Sequence, residues 1–415
     1  MNVTKKDKEV LQALAREVAE IAALPVHKET IAAWKASNTL RSVRPMVMID
    51  QIPWHELNVN DELTLRCEDN FCREYETRLR RTIYSWKHMR ADMVVHPYIE
   101  IDKAISNTGF GITVDEDRAV LDPQNSVVGH AFHDQLQTDD DLAKIKSPVI
   151  KLDKEATAQA EAAAHEIFGG ILEVHMQGRS LMFAPWDAIV TWHGVEPTLM
   201  DLIVRPDFMH KMMKRITDGY MAMLDQFEAQ GLLAYPQQRI HCTGAYTDEL
   251  PAKGFDPKKP RAKDVWTFGQ AQIFVSVSPA MHKEFDIDYA AKWYKRFGIG
   301  YYGCCEPLDN KIDIIRALPK VRKISMSPWV DVERGASGLG KDYVFSRKPS
   351  PAFLAWDNWQ PKAVEEDLRK TAEACKRHGC ALEFILKDIS TVRYEPQRLW
   401  QWADIAMRVA KAFSA

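Results

Sequence analysis

From residue 172 onward, short apolar runs alternate with longer amphipathic ones, and that order restricts the fold more than anything else in the chain. Strand-like runs fall at 172–176, 188–192, 239–242, 271–277, 300–304, 323–326, 343–345 and 382–386. Helical spacing occupies 197–230, 279–297, 309–318, 361–378 and 396–413, between most of them. Strands separated by helices pair in parallel, with the crossover helices packed on the sheet. The ends of the apolar runs carry unusual residues: His193-Gly194, His241-Cys242, Cys304-Cys305-Glu306, Ser327-Pro328-Trp329 and Lys387-Asp388. In an α/β barrel such ends face one mouth, where chemistry takes place. The pattern predicts an α/β fold, a (β/α)8 TIM-type barrel. An open doubly wound sheet has the same alternation. However, no Gly-x-Gly-x-x-Gly follows an early strand and no phosphate-binding Gly-x-x-x-x-Gly-Lys-Ser/Thr occurs, which weakens a nucleotide-binding assignment.

Upstream the order is less regular. Residues 4–36 have the spacing of two amphipathic helices, so 1–40 is expected as an N-terminal helical extension and 41–415 as the barrel unit. A strand is expected at 43–50, a basic helix at 74–90 and another strand at 92–101. The stretch 102–150 shows no clear period and is expected as an insertion covering the barrel mouth. Residues 153–168, rich in Ala and free of Gly and Pro, form a helix.

Lys and Arg number 55 against 58 Asp and Glu, a formal net charge of −3. No basic excess points to nucleic acid. No run of about 18 apolar residues points to a membrane span. The charged first seven residues lack the apolar core of an export signal, so a cytoplasmic protein is expected. Seven cysteines then read as free thiols rather than a disulfide framework.

Four groups carry candidate chemistry. Ile240-His241-Cys242 sets an imidazole beside a thiol, although neighbours on a strand face opposite ways. Tyr302-Gly303-Cys304-Cys305-Glu306-Pro307 offers two thiols and a carboxylate where Pro307 stops a strand, a donor set that zinc accepts together with imidazole. Lys387-Asp388 closes the last strand, where it serves either as a carboxylate-binding or proton-relaying pair or as a surface ion pair. Trp54, His96, Trp186 and His193 belong to aromatic-polar loops that suit the walls of a flat ligand site. The expected site therefore comprises Asp388, Glu306 and Tyr302 as catalytic groups. Trp54, His96, Trp186 and His193 would bind substrate, and His241, Cys304, Cys305 and Glu306 would hold a metal.

The segment 185–413 resembles the uroporphyrinogen decarboxylase superfamily. The resemblance rests on Gly194-Val195-Glu196-Pro197 with Arg205-Pro206-Asp207-Phe208, on Ser278-Pro279-Ala280-Met281-His282-Lys283-Glu284-Phe285, and on Tyr302-Gly303-Cys304-Cys305-Glu306. This last run falls where the family commonly carries His-x-Cys-Gly. The stretch Arg44–Trp54 lacks the arginine cluster of the decarboxylase itself, so the resemblance is nearer to the corrinoid-linked methyltransferases of anaerobic metabolism. It implies methyl transfer from a small donor, a methoxylated aromatic among the candidates, to a corrinoid (a cobalamin-type group) on a partner protein, with zinc as a metal cofactor. The family's first zinc position is Tyr302 or Gly303 here, and its last falls at Lys387-Asp388. The expected partners are a small-molecule substrate, a corrinoid-binding protein and a second copy in a homodimer, with no nucleic acid and no membrane. The competing expectation is a metal-independent decarboxylase or lyase acting on a small carboxylic acid through Asp388, His241 and Arg393.

Overall fold

The computed structural model describes residues 3–121, 123 and 128–414. Helices α1 (Lys5–Ala22) and α2 (Val26–Asn38) lead into strand β1 (Met46–Ile49) and helix α3 (Asn70–His88). Next come β2 (Tyr98–Asp102), four short strands β3 (Ile105–Asn107), β4 (Glu116–Ala119), β5 (Gly129–Phe132) and β6 (Ile150–Leu152), and helix α4 (Lys154–Phe168). Strands β7 (Glu173–Gln177) and β8 (Met182–Phe183) precede helices α5 (Pro185–His193), α6 (Val195–Val204) and α7 (Pro206–Gln230). A small hairpin, β9 (Arg239–Ile240) and β10 (Thr243–Gly244), is followed by β11 (Trp266–Gly269), β12 (Ile299–Tyr302), β13 (Val321–Met326), β14 (Val344–Arg347) and β15 (Ala381–Leu386).

Among the described residues the main sheet has seven strands in the order β1-β15-β14-β13-β12-β11-β8, every adjacent pair parallel. Alternation along each strand divides two cores. Val47, Tyr302, Ile324, Phe345, Phe384 and Leu386 point outward under the crossover helices. Met46, Met48, Trp266, Phe268, Tyr301 and Ile385 point inward and form the inner core with Trp34 of α2 and with Ile240 and Cys242 of the hairpin. The architecture is thus alternating α/β and barrel-like. Between β1 and β8 no ladder closes the sheet among the described residues; that side holds the separate parallel pair β2–β7 and the hairpin.

The inner face is not wholly apolar. Fully buried Lys323 donates to Glu383 at 2.7 Å and to Thr243 Oγ1 and the Gly244 carbonyl at 3.0 Å. Trp34 lies over this ammonium at 5.3 Å, and its indole fills the space that a side chain at Gly244 would need.

Two expected strands are not strands. Residues 188–192 lie within α5, started by Pro185 at its first turn. Their continuous apolar run reflects a helix buried on several sides, which period alone does not separate from a buried strand. Residues 272–275 form a 3-10 turn, and the strand of that region comes earlier, at β11. Of the expected 92–101 strand, only β2 forms, although the Asp92 N–H still donates to the Val47 carbonyl at 3.0 Å. The described part of the 102–150 insertion contains two antiparallel pairs, β3–β6 and β4–β5, while 122 and 124–127 lie outside the described residues. It packs on α5 and α7, where Ile150 N–H meets Gln226 and Asp134 meets His193.

Candidate active site

Inward alternation places Glu383, Ile385 and Lys387 in line along β15 and its tip, and Ser346 and Lys348 along β14 and its tip. At the end of β12 the chain turns at Gly303, whose φ of 91° is a glycine conformation. The turn is then clamped by fully buried Glu306, which accepts from the N–H groups of Cys304 (2.9 Å) and Ala271 (3.1 Å). Ser325 donates to the Cys304 carbonyl at 2.6 Å. Both thiols are thereby fixed at the mouth, Cys304 buried and Cys305 partly open.

Five side chains converge there. Cys304 Sγ lies 3.5 Å from Cys305 Sγ and 3.4 Å from His241 Nε2. Cys305 Sγ lies 3.5 Å from Asp388 Oδ2. The Lys387 ammonium is 3.1 Å from Cys304 Sγ, 3.8 Å from Cys305 Sγ and 2.8 Å from Asp388 Oδ2. One layer deeper, Lys348 bonds the Tyr301 hydroxyl and lies 2.8 Å from Ser346 Oγ.

The electrostatics follow from this packing. The Cys304 thiol, bonded to its neighbour's sulfur, holds the Cys305 thiol below its ordinary range, and the Lys387 charge adds to the effect. The same bond, with burial, pushes Cys304 up, so of the two thiols Cys305 is the one that ionises first. Burial alone would lower Lys387, but the two sulfurs and Asp388 more than offset it and hold the ammonium charged. His241 is stacked on Phe268 at 4.0 Å, and burial, with Lys348 and Lys387 nearby, pushes it down to about 3. It is a neutral imidazole at physiological pH.

The backbone is strained at the same place. His241 (φ 52°), Asp388 (φ 56°) and Gln51 (φ 49°) are all in the left-handed region, which costs a non-glycine residue about 1–2 kcal/mol. Two of them are linked: Gln51 Oε1 accepts from the Asp388 N–H at 3.2 Å, and the Gln51 carbonyl accepts from Ile389. Such strain persists where the surrounding structure over-determines it, and it clusters at functional sites.

The donors are of the kind zinc takes. As arranged, though, the Lys387 ammonium already stands within reach of both sulfurs and of Asp388. The set does not fit a divalent ion beside that charge. Among the described residues, no group of three or more His, Cys, Asp and Glu side chains is disposed to hold a metal.

Of the residues singled out in the sequence, His241, Cys304, Cys305 and Asp388 are brought together. Glu306 faces the backbone of its own turn. Tyr302 points outward, donating to Asp286 at 2.6 Å and bonded to His282, and Tyr301 takes the inward place. Trp54 lines a neighbouring cleft. His96 stacks between Tyr98 and Tyr246 and bonds the Tyr246 hydroxyl at 2.8 Å. Trp186 is buried against Phe274 in the outer core, and fully buried His193 bridges Asp134 and Asp201 at 2.7 and 2.8 Å. Neither joins the thiols. Arg393 pairs with Asp357 at 3.1 Å. Tyr301, Ser346 and Lys348 were not anticipated, and the position of Lys387 among the thiols was not foreseen. A strict every-second-residue count from Glu383 and from Val344 would have brought up both lysines.

No family model and no curated protein matches the sequence. Among solved structures, a methyltransferase from Methanosarcina mazei is similar over 93% of this chain and 99% of its own, with a TM-score of 0.48 and 11% identity. A likeness of that size says nothing about the chemistry of this chain. No helix among the described residues is long and apolar enough to cross a membrane.

Proposed function

We propose that the chain is a methyl-transferring enzyme whose Cys305 thiolate, held by Lys387, takes the methyl group from a small donor. The observation that carries this is the convergence of the thiol pair with the Lys387 ammonium at the strand tips. A thiolate is the nucleophilic form of cysteine, and a nearby ammonium keeps it populated at neutral pH. Cys305 Sγ attacks the methyl carbon of a CH3–X donor; the S–C bond forms, the C–X bond breaks, and its electron pair leaves on X. Methylation removes the negative charge that held the Lys387 proton, so the ammonium becomes a better acid and protonates X. Neutral His241 packs beside Cys304 and brings no competing charge.

Return of the enzyme needs a soft nucleophile to remove the methyl group, with the S–C pair going back to Cys305. A corrinoid carried by a partner protein supplies that chemistry, in keeping with the sequence resemblance to corrinoid-linked methyltransferases. Trp329, Trp356, Tyr394 and Val275, in the segments that follow β13, β14, β15 and β11, are exposed and would offer apolar contacts to such a partner.

The test uses methyl p-toluenesulfonate as a generic donor, with peptide mass spectrometry as the readout. Cys305 is expected to gain one methyl group ahead of every other cysteine, and the preference should vanish in Lys387→Met. Methylation spread over several cysteines, or unaffected by that substitution, would overturn the proposal.

A further inference from the structure

A cleft of about 570 Å³ opens beside the thiol site, between β1, the end of α3 and the β9–β10 hairpin. Its floor is apolar, with Trp34, Met48 and Met89. Two arginines of its rim are not neutralised. Arg81 lies over the ring of Trp54, which also lines the cleft, at 4.9 Å; Arg90 lies over Trp86, a ring of an adjoining cavity, at 5.1 Å, and neither has a carboxylate partner among the described residues. The acids on the same walls are committed elsewhere: Asp92 holds Arg44 bidentately at 2.6 and 2.8 Å, and Asp50 faces Arg239 at 3.7 Å. Uncompensated guanidinium groups pre-oriented by stacking on indoles, above an apolar floor, match a ligand with a planar anionic head and an apolar body.

The cleft adjoins the thiol site through residues that neighbour it. Gln51 lines it and accepts from the Asp388 N–H, and Arg239 lies two residues before His241 on the same hairpin. Ala91 on the opposite wall has a φ of 42°, so a second strained residue borders the same space.

We infer that this cleft is a binding subsite for an amphipathic anion, a carboxylate or phosphate monoester on a flat apolar body, gripped by Arg81 and Arg90. The assignment of this ligand as the methyl donor rests on the proposed function; the binding itself does not. The volume is within the range of small-molecule sites and admits a two-ring body.

Isothermal titration calorimetry with 1-naphthoate, 1-naphthyl phosphate and neutral 1-naphthalenemethanol tests the inference. The wild-type chain should bind at least one of the two anions at least tenfold more tightly than the alcohol, and the tighter of the two identifies the head group. Arg81→Gln/Arg90→Gln should lose that preference, and Cys305→Ser should keep it. Both arginines are exposed, so the double variant should keep its melting temperature, which serves as the folding control. Equal affinity for alcohol and anions, or an unchanged preference in the double variant, would overturn the subsite. Anion binding retained in a protein whose Cys305 fails to accept methyl would instead refute the methyl-transfer proposal and leave the cleft standing.

Discussion

At the scale of single residues, Lys387 sets the chemistry of the thiol pair. Because Cys305 is depressed in the folded chain, its thiolate persists to lower pH than a free thiol, whose ordinary value is about 8.5. Iodoacetamide labelling of Cys305 followed against pH should therefore reach half-maximum below that value, and in Lys387→Met the midpoint should move upward. An unmoved midpoint would mean that the ammonium does not hold the charge. The same ammonium explains why zinc does not suit the set as arranged, and its removal has a visible consequence. Lys387→Ala should take up Co²⁺ with the sulfur-to-metal absorption of thiolate ligation, while the unaltered chain should not. Much of this constellation was legible in the sequence, since Cys304, Cys305, His241 and Asp388 stood at the ends of apolar runs. Tyr301 was not, because two adjacent tyrosines between Gly300 and Gly303 give no sign of which one faces inward.

At the scale of elements, the β12 tip is a built turn. A Cβ at Gly303 would overlap Leu308 Cδ1 and press on Ser325 Cβ, on top of the strain of a positive φ. Removing the Glu306 carboxylate would strand two buried N–H groups, each costing about 1–3 kcal/mol. Urea unfolding of Gly303→Ala and Glu306→Ala should show losses of about 2–4 kcal/mol each, with Cys305 losing its selective reactivity in both. Wild-type stability in Glu306→Ala would show that the clamp is not structural. Strand and helix identity was legible where the period was clean, as in β12 to β15. It failed at 188–192 and 271–277, where apolar runs too short or too uniform to show a period belong to α5 and to a 3-10 turn. Likewise, the polarity of His193 gave no warning that it is buried, whereas Trp186 is buried as a large apolar side chain ordinarily is.

At the scale of the whole molecule, the strands surround a polar spine. It runs from the Lys323–Glu383 pair, through Tyr301, Ser346 and Lys348, to the thiols at the mouth. A buried ion pair is costly to break and often cheap to replace. Glu383→Leu alone should therefore destabilise the fold by about 3–5 kcal/mol, whereas Lys323→Met/Glu383→Leu should recover most of the loss in thermal melts. Comparable losses in single and double variants would contradict that view of the interior. The barrel-like layout was foreseen from alternation, but the open side between β1 and β8 was not, because pairing partners are set by tertiary contacts that periodicity does not encode. Whether Cys305 both accepts and releases a methyl group can be read in a label chase. Protein carrying a trideuteromethyl group on Cys305 is mixed with a reduced corrinoid and followed by peptide mass and by the absorbance of the methylated corrinoid. The label should leave Cys305 and appear on the corrinoid in equal amount; a label that stays on the sulfur while the corrinoid remains unmethylated would rule out Cys305 as the methyl carrier.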